Sequence, residues 1–281
     1  MDNNASNVVN YYKFCEDDYK WLWRDRSSLG THLGFWKKDT KNHAESLLEQ
    51  NKEMAKIVKI KSKDFILDAG CGIGGTSFWL ANNFGTKIEA ISISPKQIIR
   101  AKEFSRKRKF NDLVTFSEQD YTNTNFPKDH FDIVWAQESI PHAESKEDFL
   151  REAFRVLKKG GKLVTSDYFI GKSNQTNEEK DLLKKWMDSW AMKNFITPEQ
   201  FLKLAKKVGF KNVKFYDTSE FVEPSLKRLK FISYACFPVG IFLETFGLRN
   251  KIQKENMRSG IWGYKSLKNG LWKHGIIYAE K

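Results

Sequence analysis

Three groups of residues in this 281-residue chain have the types and spacing that chemistry requires. The first is Leu67-Asp68-Ala69-Gly70-Cys71-Gly72-Ile73-Gly74-Gly75-Thr76-Ser77, an apolar run that ends in a carboxylate, a glycine turn and a helix start. Such a turn lets the backbone approach a ligand closely and aims the first amides of the helix at it. The second group, Glu138 and His142, follows the apolar run FDIVWA, and the third, Asp167, follows KLVTS. An imidazole near carboxylates suits proton transfer close to neutral pH.

Three ligands compete for the glycine turn. A P-loop needs Lys after the last Gly of GxxxxG, but Gly70 to Gly75 is followed by Thr76, which excludes it. A dinucleotide fingerprint is formally met by Gly70, Gly72 and Gly75, with Glu89 nineteen residues after Gly70. Glu89, however, falls inside the run KIEAISI, and Ser92 holds the run's end. The third candidate, S-adenosylmethionine, carries no phosphate and presents an ammonium, a carboxylate and a sulfonium. Asp68 at the strand end attracts the ammonium and would repel a pyrophosphate, so charge favours S-adenosylmethionine. A nicotinamide-dependent oxidoreductase using Gly70, Gly72, Gly75 and Glu89 stays as the alternative from another class.

These residues need a scaffold that brings strand ends to one edge. From Asp64 onward, short apolar runs (FILDA, KIEAISI, LVTFSEQD, FDIVWA, KLVTSDYF) alternate with helical patterns. That alternation implies right-handed crossovers and an α/β fold with a doubly wound, mostly parallel sheet, which binds ligands at its carboxyl edge. Residues 1–60 read as an N-terminal helical lid, with Tyr11, Tyr12, Tyr19, Trp21 and Trp23 before a break at Ser27 to Gly34. Residues 61–170 form the cofactor-binding core, with the densest basic run, Arg106 to Lys109, at a helix end. Residues 171–281 supply a helical cap over the sheet edge and the last strands, NVKFYDTSEF and GIIYAEK; Thr197 caps a helix that opens on Pro198.

Composition narrows the class. Aromatic residues make up 14% of the chain, ample surface for a packed core, so disorder is excluded as the main state. The net charge of +13 suits nucleic acid, an anionic membrane surface or a phosphorylated substrate. Lys supplies 38 of the 48 cations and is spread along the chain, and the NPPY-type tetrapeptide of base and amide methylation is missing, both of which argue against nucleic acid. Cys15, Cys71 and Cys236 lie far apart with no ligand spacing, pointing to a reducing, cytoplasmic setting without a metal. No secretory signal is expected at the N-terminus. The apolar segment Phe231 to Leu243 would span roughly 20 Å as a helix against a bilayer core of about 30 Å, so it cannot cross a membrane, though peripheral contact stays open. Nothing in the sequence assigns an oligomeric state.

Over about residues 10–170 the chain resembles the class I S-adenosylmethionine-dependent methyltransferases, and within them the small-molecule group of tocopherol, sterol and sugar O-methyltransferases. The resemblance rests on THLGFW, LDAGCGIGG, ISPKQ, QDYTNTNFP, FDIVWAQESIPH and LKKGGKLVTSDYF. It implies that Asp68, Gly70 and Gly72 hold the methionine end, that Ser92, Ile93 and Gln97 lie near the ribose, and that Asp120 and Tyr121 flank adenine, with Tyr12 and Thr31 closing the front. Ser92 departs from the acid common at that position. The implied reaction is methyl transfer to a small apolar or amphipathic acceptor, with His142 as base for a hydroxyl and Asp167 orienting it. A carbon acceptor, on an isoprenoid, sterol-like or phosphorylated lipid, would instead draw on Glu138. His142 could also only shape the site, since alignment alone drives such a displacement. Trp186, Trp190, Phe195, Trp262 and Trp272 are candidates to line or support the acceptor pocket, and Tyr12, Phe35 or Trp36 to face the sulfonium.

Overall fold

The computed structural model describes residues 3–23 and 28–281. Ser27 and the Trp21 side chain, both part of the expected N-terminal pattern, lie outside what is described. Seven strands form one sheet: β1 (Phe65–Ala69), β2 (Lys87–Ser92), β3 (Val114–Glu118), β4 (Phe131–Gln137), β5 (Leu157–Ile170), β6 (Lys211–Asp217) and β7 (Trp272–Glu280). Their order is β3-β2-β1-β4-β5-β7-β6. All neighbours run parallel except β7, which is antiparallel to β5 and β6. The expected doubly wound, mostly parallel sheet is therefore present, and its order reverses between β1 and β4, where such sheets bind ligands.

Parallel strands covered on both faces are largely apolar, and β1, β4 and residues 163–169 of β5 are almost wholly buried. α3 (Gly75–Phe84), α4 (Pro95–Arg108), α5 (Lys146–Val156) and α7 (Pro198–Val208) cross between strands. Ser94 caps α4 with Pro95 at its first position, and Thr197 and Gln200 form a capping box ahead of Pro198, as the sequence predicts. The strand expected to run through Phe221 stops at Asp217, because the Asp217 carboxylate accepts from the Ser219 amide and hydroxyl and turns the chain into a helix.

α1 (Asn3–Asp18), α6 (Asn177–Ser189), α8 (Ser219–Thr245) and α9 (Lys251–Lys268) form the cap. α8 and α9 pack closely through glycine: a Cβ on Gly260 would come within 2.5 Å of the Leu229 backbone. α2 (His43–Val58), assigned with the lid from sequence, packs its Leu47, Met54 and Val58 face inward, and Val58 accepts from Lys162 of β5. The cap joins the sheet through stacked rings: Trp186 of α6 lies 4.4 Å from Trp272 of β7 at 26°, both fully buried. Removing a ring of that size leaves a cavity the neighbours cannot fill, so Trp186→Ala should cost about 3–5 kcal/mol of unfolding free energy by urea titration. A loss under about 1 kcal/mol would show that the cap is not packed through this stack.

Candidate active site

The glycine turn after β1 is built by positive φ angles at Gly70 (97°), Gly72 (55°) and Gly74 (90°). Gly70 and Cys71 donate their amides to Ile91 O of β2, which pulls the turn across the end of the sheet. A Cβ on Gly70 would sit 2.4 Å from Ser139 Cβ, so the turn and the segment after β4 touch through the missing side chain. A Cβ on Gly72 would meet nothing, because this residue faces an open cavity.

That cavity collects most of the residues singled out from sequence. Asp68, Gly70, Gly72, Ser92, Ile93, Gln97, Tyr121, Tyr12 and Thr31 line it, together with Glu138 and His142. Asp68 is buried and accepts from Ser77 Oγ, and burial pushes its carboxyl up to about 6. Ser92 Oγ donates to Gln97 Oε1 at 2.7 Å, so the two polar groups at the end of β2 act as one unit. Tyr121 donates to Ser139 O at 2.8 Å, a bond that fixes its ring on the cavity wall. Asp120 is not brought to this wall: it is exposed, and its Oδ1 accepts from the Thr122 amide and hydroxyl in a loop cap.

Glu138 follows β4 with a left-handed backbone, φ 48°. It accepts from the Leu33 amide at 3.0 and 3.1 Å, from Gln50 Nε2 at 3.1 Å, from the Tyr168 hydroxyl and from His274 Nε2 at 3.3 Å. Burial alone would raise its carboxyl, but the His274 contact and the other donors outweigh it and hold the group below its ordinary value. Gln50 also reaches Ser166 Oγ and Gln137, and Gln137 accepts from Thr76, so the anion is wired back to α3. Sequence reasoning missed Gln50, Tyr168 and His274, which come from three distant segments. Tyr168 stood next to a residue already singled out and was the one readable signal.

His142 ends a short helical turn, Ile140–His142. Its Nδ1 contacts Ala191 O at 3.1 Å, and a carbonyl only accepts, so Nδ1 carries the proton and Nε2 the lone pair. Nε2 lies 3.1 Å from the Tyr12 hydroxyl. Burial lowers the imidazole to about 4, which keeps it neutral. The expected pairing of His142 with Asp167 takes a different form. Asp167 accepts from the Ile140 amide and its own neighbour Tyr168, while Lys146 Nζ donates to the carbonyls of Ile140 and Ala143. The acid thus grips the turn that carries the imidazole, in place of the ring itself. Burial and the Glu138 charge push the Asp167 carboxyl well up, and burial lowers the Lys146 ammonium to about 8.

Of the aromatic candidates, Trp190 lines the cavity, whereas Trp186 and Trp272 form the core stack behind it. Phe195 stacks on Tyr168 at 5.9 Å, and Trp262 packs half-buried against the core. Phe35 is fully buried against Phe221 and His274, and Trp36 donates to Ser225, so neither faces the cavity; Tyr12 does.

Residues 67–165 match the family model described as "Methyltransferase domain". A probable tocopherol O-methyltransferase of Oryza sativa is 30% identical over 169 residues, 58% of this chain and 47% of that protein. The tocopherol O-methyltransferase of Arabidopsis thaliana is 25% identical, covering 98% of this chain and 81% of that protein. The geranyl diphosphate C-methyltransferase of Streptomyces coelicolor, solved with S-adenosylhomocysteine, superposes with a TM-score of 0.74 at 17% identity, covering 100% of this chain and 98% of that one. The chain spans about half the length of the first curated relatives it matches. Residues 67–165 thus carry a methyltransferase domain, and the strand order and the glycine loop after β1 agree with it.

The turn geometry yields a direct test. Gly70→Ala adds a Cβ at positive φ against Ser139, and should lower stability by about 1–3 kcal/mol in thermal unfolding and abolish S-adenosylhomocysteine binding. Unchanged stability and binding would show that the turn is not held against Ser139.

Proposed function

We propose that this chain transfers a methyl group from S-adenosylmethionine to a hydroxyl of a small apolar or amphipathic molecule. The observation that carries the reading is one cavity in which a buried carboxylate, a glycine turn and a neutral imidazole meet. The residues fit the cofactor: Asp68 complements an ammonium, Gly72 leaves room for close approach, Ser92 and Gln97 offer hydroxyl and amide groups to a ribose, and Tyr121 offers a ring edge or face to adenine. The bound cofactor supplies an electrophilic methyl on a sulfonium.

The chain's own residues then align, exclude water and receive a proton. Tyr12, Thr31 and Trp190 close the cavity from the cap side. When the acceptor oxygen gains the methyl and the carbon–sulfur bond breaks, that oxygen becomes a strongly acidic oxonium. Even an imidazole titrating near 4 takes its proton, directly at Nε2 or through the Tyr12 hydroxyl. A stronger base is unnecessary, because the proton becomes acidic as the new bond forms and passes to the imidazole in the same step. Glu138 is saturated with donors and serves as a fixed anion that orients Tyr168 and favours positive charge in the cavity. The second reading, a carbon acceptor with Glu138 taking the proton, is favoured only by the ionised state of that carboxylate. We place the protein in the cytoplasm on its three free thiols.

Labelled methyl transfer to a panel of apolar phenols and alcohols tests the reading. His142→Gln should lower kcat by about 10²–10⁴-fold with KM for the cofactor unchanged, the range of a lost proton acceptor. Equal kcat in wild type and variant on every accepted substrate would remove His142 from the chemistry. Asp68 makes a pH prediction. Its carboxyl is raised in the folded protein to about 6 and the ligand ammonium needs the anion, so affinity is full above about pH 7 and falls as pH drops through 6. Calorimetric titration of S-adenosylhomocysteine should show this fall in wild type and a flat, weaker profile in Asp68→Asn. A flat wild-type profile would separate Asp68 from the ammonium.

A further inference from the structure

The cap carries a surface that methyl transfer to a small molecule does not require. α8 is 27 residues long, and from Phe231 to Leu243 it contains no charged residue. Its outer face exposes Phe231 (73%), Tyr234 (57%), Phe242 (59%) and Phe246 (63%), and Leu248 (66%) follows it. Phe231, Tyr234, Pro238, Phe242 and Phe246 recur at helical spacing, so they form one stripe about 24 Å long rather than scattered apolar positions. Contiguous apolar surface of this extent marks a partner or a lipid surface.

The inner face of the same helix opens on a second cavity. Its volume is about 350 Å³, and Leu229, Ile232, Cys236 and Val239 of α8 and Met257 of α9 line it. Tyr19, Thr31 and Trp190 belong to both this cavity and the cofactor cavity, so the two adjoin. One helix therefore separates the apolar outer stripe from a greasy chamber that leads towards His142.

Charge identifies the occupant of the stripe. Residues 224–258 contain seven basic side chains (Lys227, Arg228, Lys230, Arg249, Lys251, Lys254 and Arg258) and two acidic ones, Glu244 and Glu255. Glu244 pairs with Lys254, Glu255 with Lys251, and Asp18 of α1 with Arg249, which leaves Lys227, Arg228 and Lys230 at one end of the stripe and an excess of cations at the other. Cations thus flank both ends of the stripe, the pattern of a helix that lies in a membrane interface and meets anionic headgroups. No helix among the described residues is long and apolar enough to cross a membrane.

We infer that α8 docks its outer face onto an anionic lipid surface, and that its inner face admits an apolar acceptor from that surface into the chamber beside His142. The delivery role rests on the methyltransferase reading above; the docking does not. Binding to a bilayer lets a hydrophobic acceptor reach the site without crossing water, and it places the acceptor's polar end at the cofactor cavity.

Sedimentation of the full chain with vesicles of phosphatidylcholine, with and without 30 mol% phosphatidylglycerol, tests the docking. Wild type should sediment with the anionic vesicles, less with neutral ones, and the bound fraction should fall as salt rises from about 0.1 to 0.5 M. Phe242→Ser with Phe246→Ser, at two exposed positions outside both cavities, should weaken the partition at least tenfold. The same variant should keep the wild-type thermal shift with S-adenosylhomocysteine, which shows that fold and cofactor site are intact. Wild type remaining in the supernatant, or the double variant binding as tightly, would overturn the proposal. So would a dimer in gel filtration that the double variant dissolves, since a second copy would then cover the stripe. Failure of the cofactor shift with vesicle binding intact would instead count against the methyltransferase reading.

Discussion

A single buried anion ties this molecule together. Glu138 sits at the end of β4 with almost no exposure, and an ionised carboxylate there costs several kcal/mol unless donors replace its water. The donors come from Leu33 in the segment before α2, Gln50 of α2, Tyr168 of β5 and His274 of β7. Four segments far apart in sequence must therefore converge before the charge is satisfied. Because Glu138 also lines the cavity beside Asp68, the same requirement shapes the site: satisfying the charge places Tyr168 and the 31–33 segment around it.

The residues around that anion divide the work of the chemistry. Asp68 and Asp167 are pushed towards their neutral forms by burial, whereas Glu138 stays charged because it is the carboxylate with the donors. Similar side chains thus titrate differently in and beside one cavity, as environment dictates. His142 is kept neutral with a defined lone pair by the Ala191 carbonyl, and its turn is clamped by Asp167 on one side and Lys146 on the other. In the proposed reaction, a weak, well-placed base suits a displacement in which the proton becomes acidic as the bond forms.

The sequence made the sheet and the glycine turn legible because both rest on local rules. Short apolar runs ending at Ala69, near Ser92 and at Ala136 could be read residue by residue, and Gly70 and Gly72 stand where the backbone needs positive φ. The contacts of the site were less legible, since they depend on which side chains arrive from elsewhere. The family resemblance implied that Asp120 flanks adenine, yet in the structure its carboxylate is taken by the neighbouring Thr122. Asp167 and His142 were both singled out, but only the fold shows that a backbone turn lies between them. Gln50 sits mid-helix among ordinary polar residues, and His274 is an isolated imidazole in the last strand; no local pattern marks either. Phe35 carried an aromatic signal that core packing against Phe221 had already consumed.

The claim on which all of this stands is that the cavity beside Asp68 holds S-adenosylmethionine and not a dinucleotide. Thermal unfolding of the purified chain alone, with excess S-adenosylhomocysteine and with excess NAD tests it most directly. A ligand at about 100 times its dissociation constant adds roughly 2.7 kcal/mol to the native state. Stabilisation of that size by S-adenosylhomocysteine, with none from NAD, is the predicted result. Stabilisation by NAD alone would contradict it and return Gly70, Gly72, Gly75 and Glu89 to a hydride-transfer site.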